Sequence, residues 1–322
     1  MIPRIDKIES NAERNFIING NFNIRQRGDV SAIAHGSWLA DRYIYYGATG
    51  MDASYSTDVP AGQNCFESLG MTVATPTPVL GPGAYSIIRQ GQEGNLIKPL
   101  YGRKFSIGFW VKTNVAGIYG INLRGASRSV VYEYEVLASE LDTWVEKSVL
   151  VDMTTEDSSL YAHDENLGFY INFIFASGGA DDLGAVGVWE SSALLSTPNQ
   201  VNLVETAGNY IRITGIRCND GTKLNSFVTS GRSYADEFRL CQRYYIARPD
   251  TLYIAMNKFN QEVYLNYMFP VTMRATPVRS QTSTNCATNS FSASKYGVKG
   301  YGLYTGSSGT PSIVGLTFDA EL

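Results

Sequence analysis

Large apolar side chains recur at every second position through most of the chain, and short polar clusters separate the runs. In "KFSIGFWVKT" (104–113), Phe105, Ile107, Phe109 and Val111 share one face of an extended chain, while Ser106, Gly108, Trp110 and Lys112 share the other. "TWVEKSVLVDM" places Val145, Val149 and Val151 inside. "LGFYINFIFAS" lines up Leu167, Phe169, Ile171, Phe173 and Phe175, and "NYIRITGIRC" turns Ile211 and Ile213 in against Arg212 and Thr214. Each run predicts a half-buried strand. "GPG" (81–83), "SGGADD" (177–182) and "NDG" (219–221) supply turn chemistry between runs. The pattern predicts an all-β protein with an antiparallel jelly-roll sandwich over residues 15–222.

Two segments need separate treatment. In "NFIINGNFNIRQRG" (15–28), Phe16, Ile18, Phe22 and Ile24 alternate with Asn19, Asn21, Asn23 and Arg25. This predicts a further strand, interrupted by Ile17 and bulged at Gly20. "SYADEFRLCQRYYIARP" instead offers Ser233 as an N-cap, Asp236 three residues on, Arg239 and Arg243 later, and a stop before Pro249. It predicts a short helix whose stripe of Tyr234, Phe238, Cys241 and Tyr245 recurs at helical spacing. With Leu240 and Tyr244 beside it, the stripe is wider than one contact with the sandwich buries. A second partner is expected, either another copy of the chain or the carboxy-terminal region folded back. Strand signals resume after Pro249, so residues 223–322 read as a helix-bearing, smaller β region and residues 1–14 as an attachment segment.

Composition narrows the function classes. The 322 residues are 44% hydrophobic but only 17% charged, with 21 Tyr and 31 Gly, so the surface is polar without being strongly charged. A net charge of -4 and no cluster of Lys and Arg interleaved with aromatics argue against nucleic acid. No run of 18 apolar residues occurs, and "MIPRIDKIESNAERN" lacks the apolar core of a signal peptide, which argues against membrane insertion and classical secretion. Cys65, Cys218, Cys241 and Cys286 lie far apart, with only His35 and His163 to help them. Free, mostly buried thiols are expected rather than a zinc site.

Catalytic chemistry finds little support. Glu133 with Glu135, or Asp181 with Asp182, are carboxylate pairs of a kind that chance supplies in any chain with 30 acidic residues. No nucleophile elbow, zinc-protease motif or phosphate loop occurs. No catalytic residue and no cofactor is expected, although the Asp181–Asp182 loop could hold calcium. Sugar binding without catalysis suits the residue types better, because a ring face stacks on an aromatic while hydroxyls bond to carboxamides. Trp110, Tyr170 with Asn172, and Trp189 are the candidate contacts.

Three stretches, in order, then carry a family resemblance. "NFIINGNFNIRQRG" followed by "WLADRYIYY" resembles the opening of a recurrent bacteriophage virion module. "SYADEFRLCQRYY" is similar to that family's acidic helix, and "FPVTMRATPV" with "FDAEL" to its closing strands. The family comprises tail-fibre, head-fibre and related structural proteins built on a jelly roll similar to carbohydrate-binding modules. The resemblance implies an exposed virion surface protein that partners other tail or capsid proteins. Contact with a host glycan leads, capsid decoration follows, and polysaccharide depolymerase is the enzymatic alternative. It also makes a homotrimer the first expectation. Arg25, Gln26, Arg27, Asp41 and Arg42 are expected to be structural, with Asp41 and Arg42 fixing the "RQRG" corner by paired hydrogen bonds.

Overall fold

The alternating runs pair as strands. The structure, a computed structural model, describes residues 15–47, 50–179, 183–223, 232–248, 252–253, 262–284, 286–304 and 312–322. Among these residues two six-stranded antiparallel sheets face each other. The first has the order Ala32–Ile33, Met51–Ser56, Ser68–Val73, Tyr210–Asp220, Lys104–Thr113, Val145–Asp152. The second has the order Trp38–Ala40, Tyr43–Gly47, Tyr85–Glu93, Leu167–Ser177, Gly117–Arg124, Ser129–Val136. After Val73 the chain changes sheet at nearly every connection, which makes this an antiparallel jelly-roll sandwich. Phe105, Ile107, Phe109 and Val111 of the first sheet meet Phe169, Ile171 and Phe173 of the second, all buried. Phe105 stacks on Phe169 with centroids 6.2 Å apart, and Phe109 meets Phe173 edge-on at 5.1 Å. Each such side chain contributes roughly 1.5–3 kcal/mol by leaving water.

Residues 15–28 depart from expectation: they form no strand. Phe16, Ile17 and Phe22 enter the sandwich core, whereas Ile18 and Ile24 pack against Cys241 and Tyr244 of the helix region. The segment is buried on two sides, so its apolar residues do not report a single face. Carboxamides take the place of a strand partner. Asn19 donates to Ile24 O (2.9 Å) and Asp41 O (3.0 Å) and accepts from Ile24 N–H (3.2 Å). Asn15 accepts from Ile17 N–H and Cys218 N–H, and Gln90 pairs with both backbone groups of Ile18. These bonds satisfy the backbone without a ladder.

The predicted helix is present over Tyr234–Gln242, with the reciprocal Ser233–Asp236 cap. It ends earlier than expected. Arg274 N–H donates to Arg243 O and Ala320 N–H to Tyr244 O, both at 2.8 Å, so long-range donors capture the carbonyls after the last turn. Tyr245–Arg248 then becomes a strand paired with Ser312–Asp319, which also pairs with Leu252–Tyr253 and Val278–Thr284. Tyr245 is therefore not part of the helical stripe. A three-stranded sheet of Glu262–Met268, Gly297–Tyr304 and Cys286–Ser294 completes the region.

The stretches that carry the family resemblance converge on one junction between sandwich, helix and carboxy terminus. Gln26 N–H donates to Asp41 (2.9 Å), and the Gln26 carboxamide bridges Asp41 and Tyr245 O. Arg27 pairs with Asp319 (3.0 Å) and lies over the rings of Trp38 and Tyr245. Arg243 grips Glu93 through two 2.8 Å bonds, and Arg274 donates to Ala320 O and Glu321 O. Asp41 fixes the corner as expected. Arg42 does not; it turns away to Glu321, Gly91 O and the face of Tyr244.

Candidate functional site

The four side chains expected to meet a sugar do not form one surface. Trp110 lies on the outer face of the first sheet, half-buried, and Tyr170 on the outer face of the second, so the sandwich core separates them. Asn172 is a correction to the expected open position. It is fully buried, accepting from Arg89 Nε (2.6 Å) and donating to Asn122 (2.7 Å). Alternation placed it outside the core correctly, but residues 183–202 add a layer there, since the neighbouring Asn122 bonds to Leu194 O. Trp189 is half-buried in a loop, its indole donating to Asp152 O at 2.7 Å and its ring edge-on to Tyr161. Asp181 and Asp182 lie outside the described residues, and among those described no group of three His, Cys, Asp or Glu is placed to share a metal ion. Cys65, Cys218 and Cys241 are free thiols, all buried.

The helix stripe is likewise divided. Cys241 is fully buried against Ile18, Ile24 and Tyr244, and Tyr245 is 8% exposed beneath Arg27, so the chain itself covers both. Phe238 is half-buried. Tyr234 stands 60% exposed, its ring stacked on Phe238 with centroids 6.1 Å apart.

Tyr234 forms one rim of a cleft of about 370 Å³, within the range of small-ligand sites. The floor is the asparagine-rich segment 15–23, and the other rim is Phe66, 62% exposed at the entry to strand Ser68–Val73. Gly20 brings the floor against the sandwich: a Cβ there would lie 2.2 Å from Ile216 O. That approach is made where Tyr210–Asp220 bulges and its backbone bonds to the segment, Phe16 N–H to Cys218 O and Ile216 N–H to Gly20 O.

Most polar groups of the cleft are already committed. Asn15 and Asn19 serve the backbone as described. Arg232 donates to Ile17 O (2.6 Å) and pairs with Glu237 (3.0 Å), which accepts from Asn19 N–H. Burial pushes the Glu237 carboxyl up, opposed by Arg232 and the Asn19 bond. Opposite charges thus cancel along one wall. Asn21 is different: only 5% exposed, it holds an Oδ1 with no hydrogen-bond partner among the described residues. A buried acceptor left unbonded costs about 1–3 kcal/mol. With half-exposed Asn23 beside it, the cleft offers two aromatic rims, carboxamides and no net charge. That combination can seat a neutral polyhydroxylated ring.

Sequence reasoning missed Phe66. The signal was its phase: Leu69, Met71 and Val73 are buried at odd positions, and Phe66 falls on the opposite parity.

No protein-family model and no curated protein sequence matches the chain. Among solved structures it is similar to the enzymatically active domain of bacteriophage CBA120 tailspike protein 4, at 15% identity and TM-score 0.34 over 60% of this chain and 22% of that one. It is also similar to the family 11 carbohydrate-binding module of cellulase Lic26A-Cel5E of Clostridium thermocellum, at 10% identity and TM-score 0.32 over 62% of this chain and 99% of that one. A third is TmCBM61 in complex with β-1,4-galactotriose, at 11% identity and TM-score 0.33 over 65% of this chain and 99% of that one.

Proposed function

We propose that the chain is a non-enzymatic surface protein of a phage particle whose task is contact with a host-surface glycan. The observation that carries the glycan reading is the cleft between Phe66 and Tyr234, whose exposed rings can stack on a sugar face while half-exposed Asn23 meets its hydroxyls. The particle reading rests on the family-like stretches, of which Gln26, Arg27, Asp41, Arg243 and Arg274 hold the junction described above. Retention of the purified chain on host envelope polysaccharide, without release of new reducing ends, is the expected result. Release of reducing ends would replace this reading with a depolymerase. Immunogold labelling of intact particles tests the address: gold at the tail tip fits receptor contact, whereas gold spread over the head assigns capsid decoration.

A further inference from the structure

The outer face of the second sheet carries two arginines that are not paired with a carboxylate among the described residues. Arg89, on Tyr85–Glu93, and Arg124, at the end of Gly117–Arg124, flank Leu167–Ser177, where Asn172 lies opposite Arg89 and Tyr170 opposite Arg124. The Arg89 guanidinium lies 4.3 Å from the Tyr170 ring centroid and 4.8 Å from that of Tyr46. Its Nε donates to Asn172, whose own amide is fixed on Asn122, so the Arg89 head group is held in one orientation by a buried polar row.

Neither arginine has a carboxylate partner among the described residues, whereas most other arginines of the sandwich are paired. Burial depresses the Arg89 pKa, the Tyr170 and Tyr46 hydroxyls oppose this, and the nearby positive charge of Arg124 adds to the depression. Desolvating a guanidinium beside a like charge is unfavourable unless an anion joins them. Stacking and the rigid polar row hold the fork open for a planar or tetrahedral oxyanion, the geometry that guanidinium groups bind best.

We propose that Arg89 and Arg124 form a second binding site, for the anionic substituent of an acidic glycan, either a uronate carboxylate or a sugar phosphate. It lies on the sheet face rather than in the cleft and does not rest on the cleft's function. The Arg124 side chain makes no hydrogen bond or ion pair with the described residues, so Arg124→Gln removes the charge and keeps the strand pairing. The test is calorimetric titration of the full chain with oligogalacturonate, with inorganic phosphate, and with neutral dextran oligomers as the control. Saturable binding of at least one anion is expected, weakened about tenfold or more in Arg124→Gln and by added salt. Binding of oligogalacturonate alone assigns a carboxylate site and binding of phosphate alone a phosphate site. Equal affinity of wild type and Arg124→Gln, or no saturable binding of either anion, overturns the proposal.

Discussion

Arg42 and Glu321 form an ion pair across 279 residues of chain, their side chains 1% and 5% exposed. The arginine is held with φ of 75°, a conformation that side chains other than glycine adopt at a cost. The pair is the innermost tie between the sandwich and the carboxy terminus. Glu321→Ala should cost about 3–5 kcal/mol, because it strands a buried charge. Denaturant unfolding measures this, and a loss below about 1 kcal/mol would show that the junction does not depend on the pair.

Asp41, one residue away, should make stability depend on pH. Burial raises its carboxyl from 3.8 to about 6, against the lowering effect of its bonds from Gln26 and of Arg27. A folded-state pKa above the unfolded one means that the ionised form penalises the fold. The penalty is full above about 6, shrinks as pH falls through that value, and is gone below 3.8. The stability of wild type relative to Asp41→Asn should therefore rise on acidification, by on the order of 3 kcal/mol between neutral pH and about pH 4. Parallel pH profiles for the two proteins would contradict the assignment.

Gly20→Ala tests the docking of the floor segment. Its new methyl would meet the Ile216 carbonyl, a backbone atom that cannot rotate away. A loss of about 1–3 kcal/mol is expected in thermal or chemical unfolding, as for overpacking elsewhere. A stability equal to wild type would mean that the segment is not anchored on the Tyr210–Asp220 bulge.

Self-association is proposed through Phe238, the half-buried member of the helix stripe that does not line the cleft. Sedimentation at micromolar concentration should give a three-chain species, and Phe238→Asp should dissociate it by placing a charge in an apolar contact. Phe66→Ala should leave it intact. A stable single-chain species in wild type would rule the trimer out.

Strands were legible where one side chain face meets the core and the other does not. Phe105 to Val111 and Phe169 to Phe173 are such cases, and their parity survives in the structure. The segment 15–28 misled because both of its sides are buried and its asparagines act as backbone partners, a role that periodicity cannot express. The N-terminal cap of the helix is local and was readable from Ser233 and Asp236. Its end was not, since donors from Arg274 and Ala320 decide it. The aromatic candidates lie on separate faces for a related reason: parity places Trp110 and Tyr170 outside the core without saying on which sheet. The cleft needs residues 15–23, 66 and 232–237 together, a juxtaposition that only the fold creates.

The most direct test of glycan contact through the cleft is the affinity of wild type, Phe66→Ala and Trp110→Ala for host envelope polysaccharide, measured by titration calorimetry on variants of equal thermal stability. Loss of the exposed Phe66 platform should weaken binding about tenfold, a change of about 1.4 kcal/mol, while Trp110→Ala, which lies outside the cleft lining, should bind like wild type. Undiminished binding by Phe66→Ala would contradict a glycan site in the cleft.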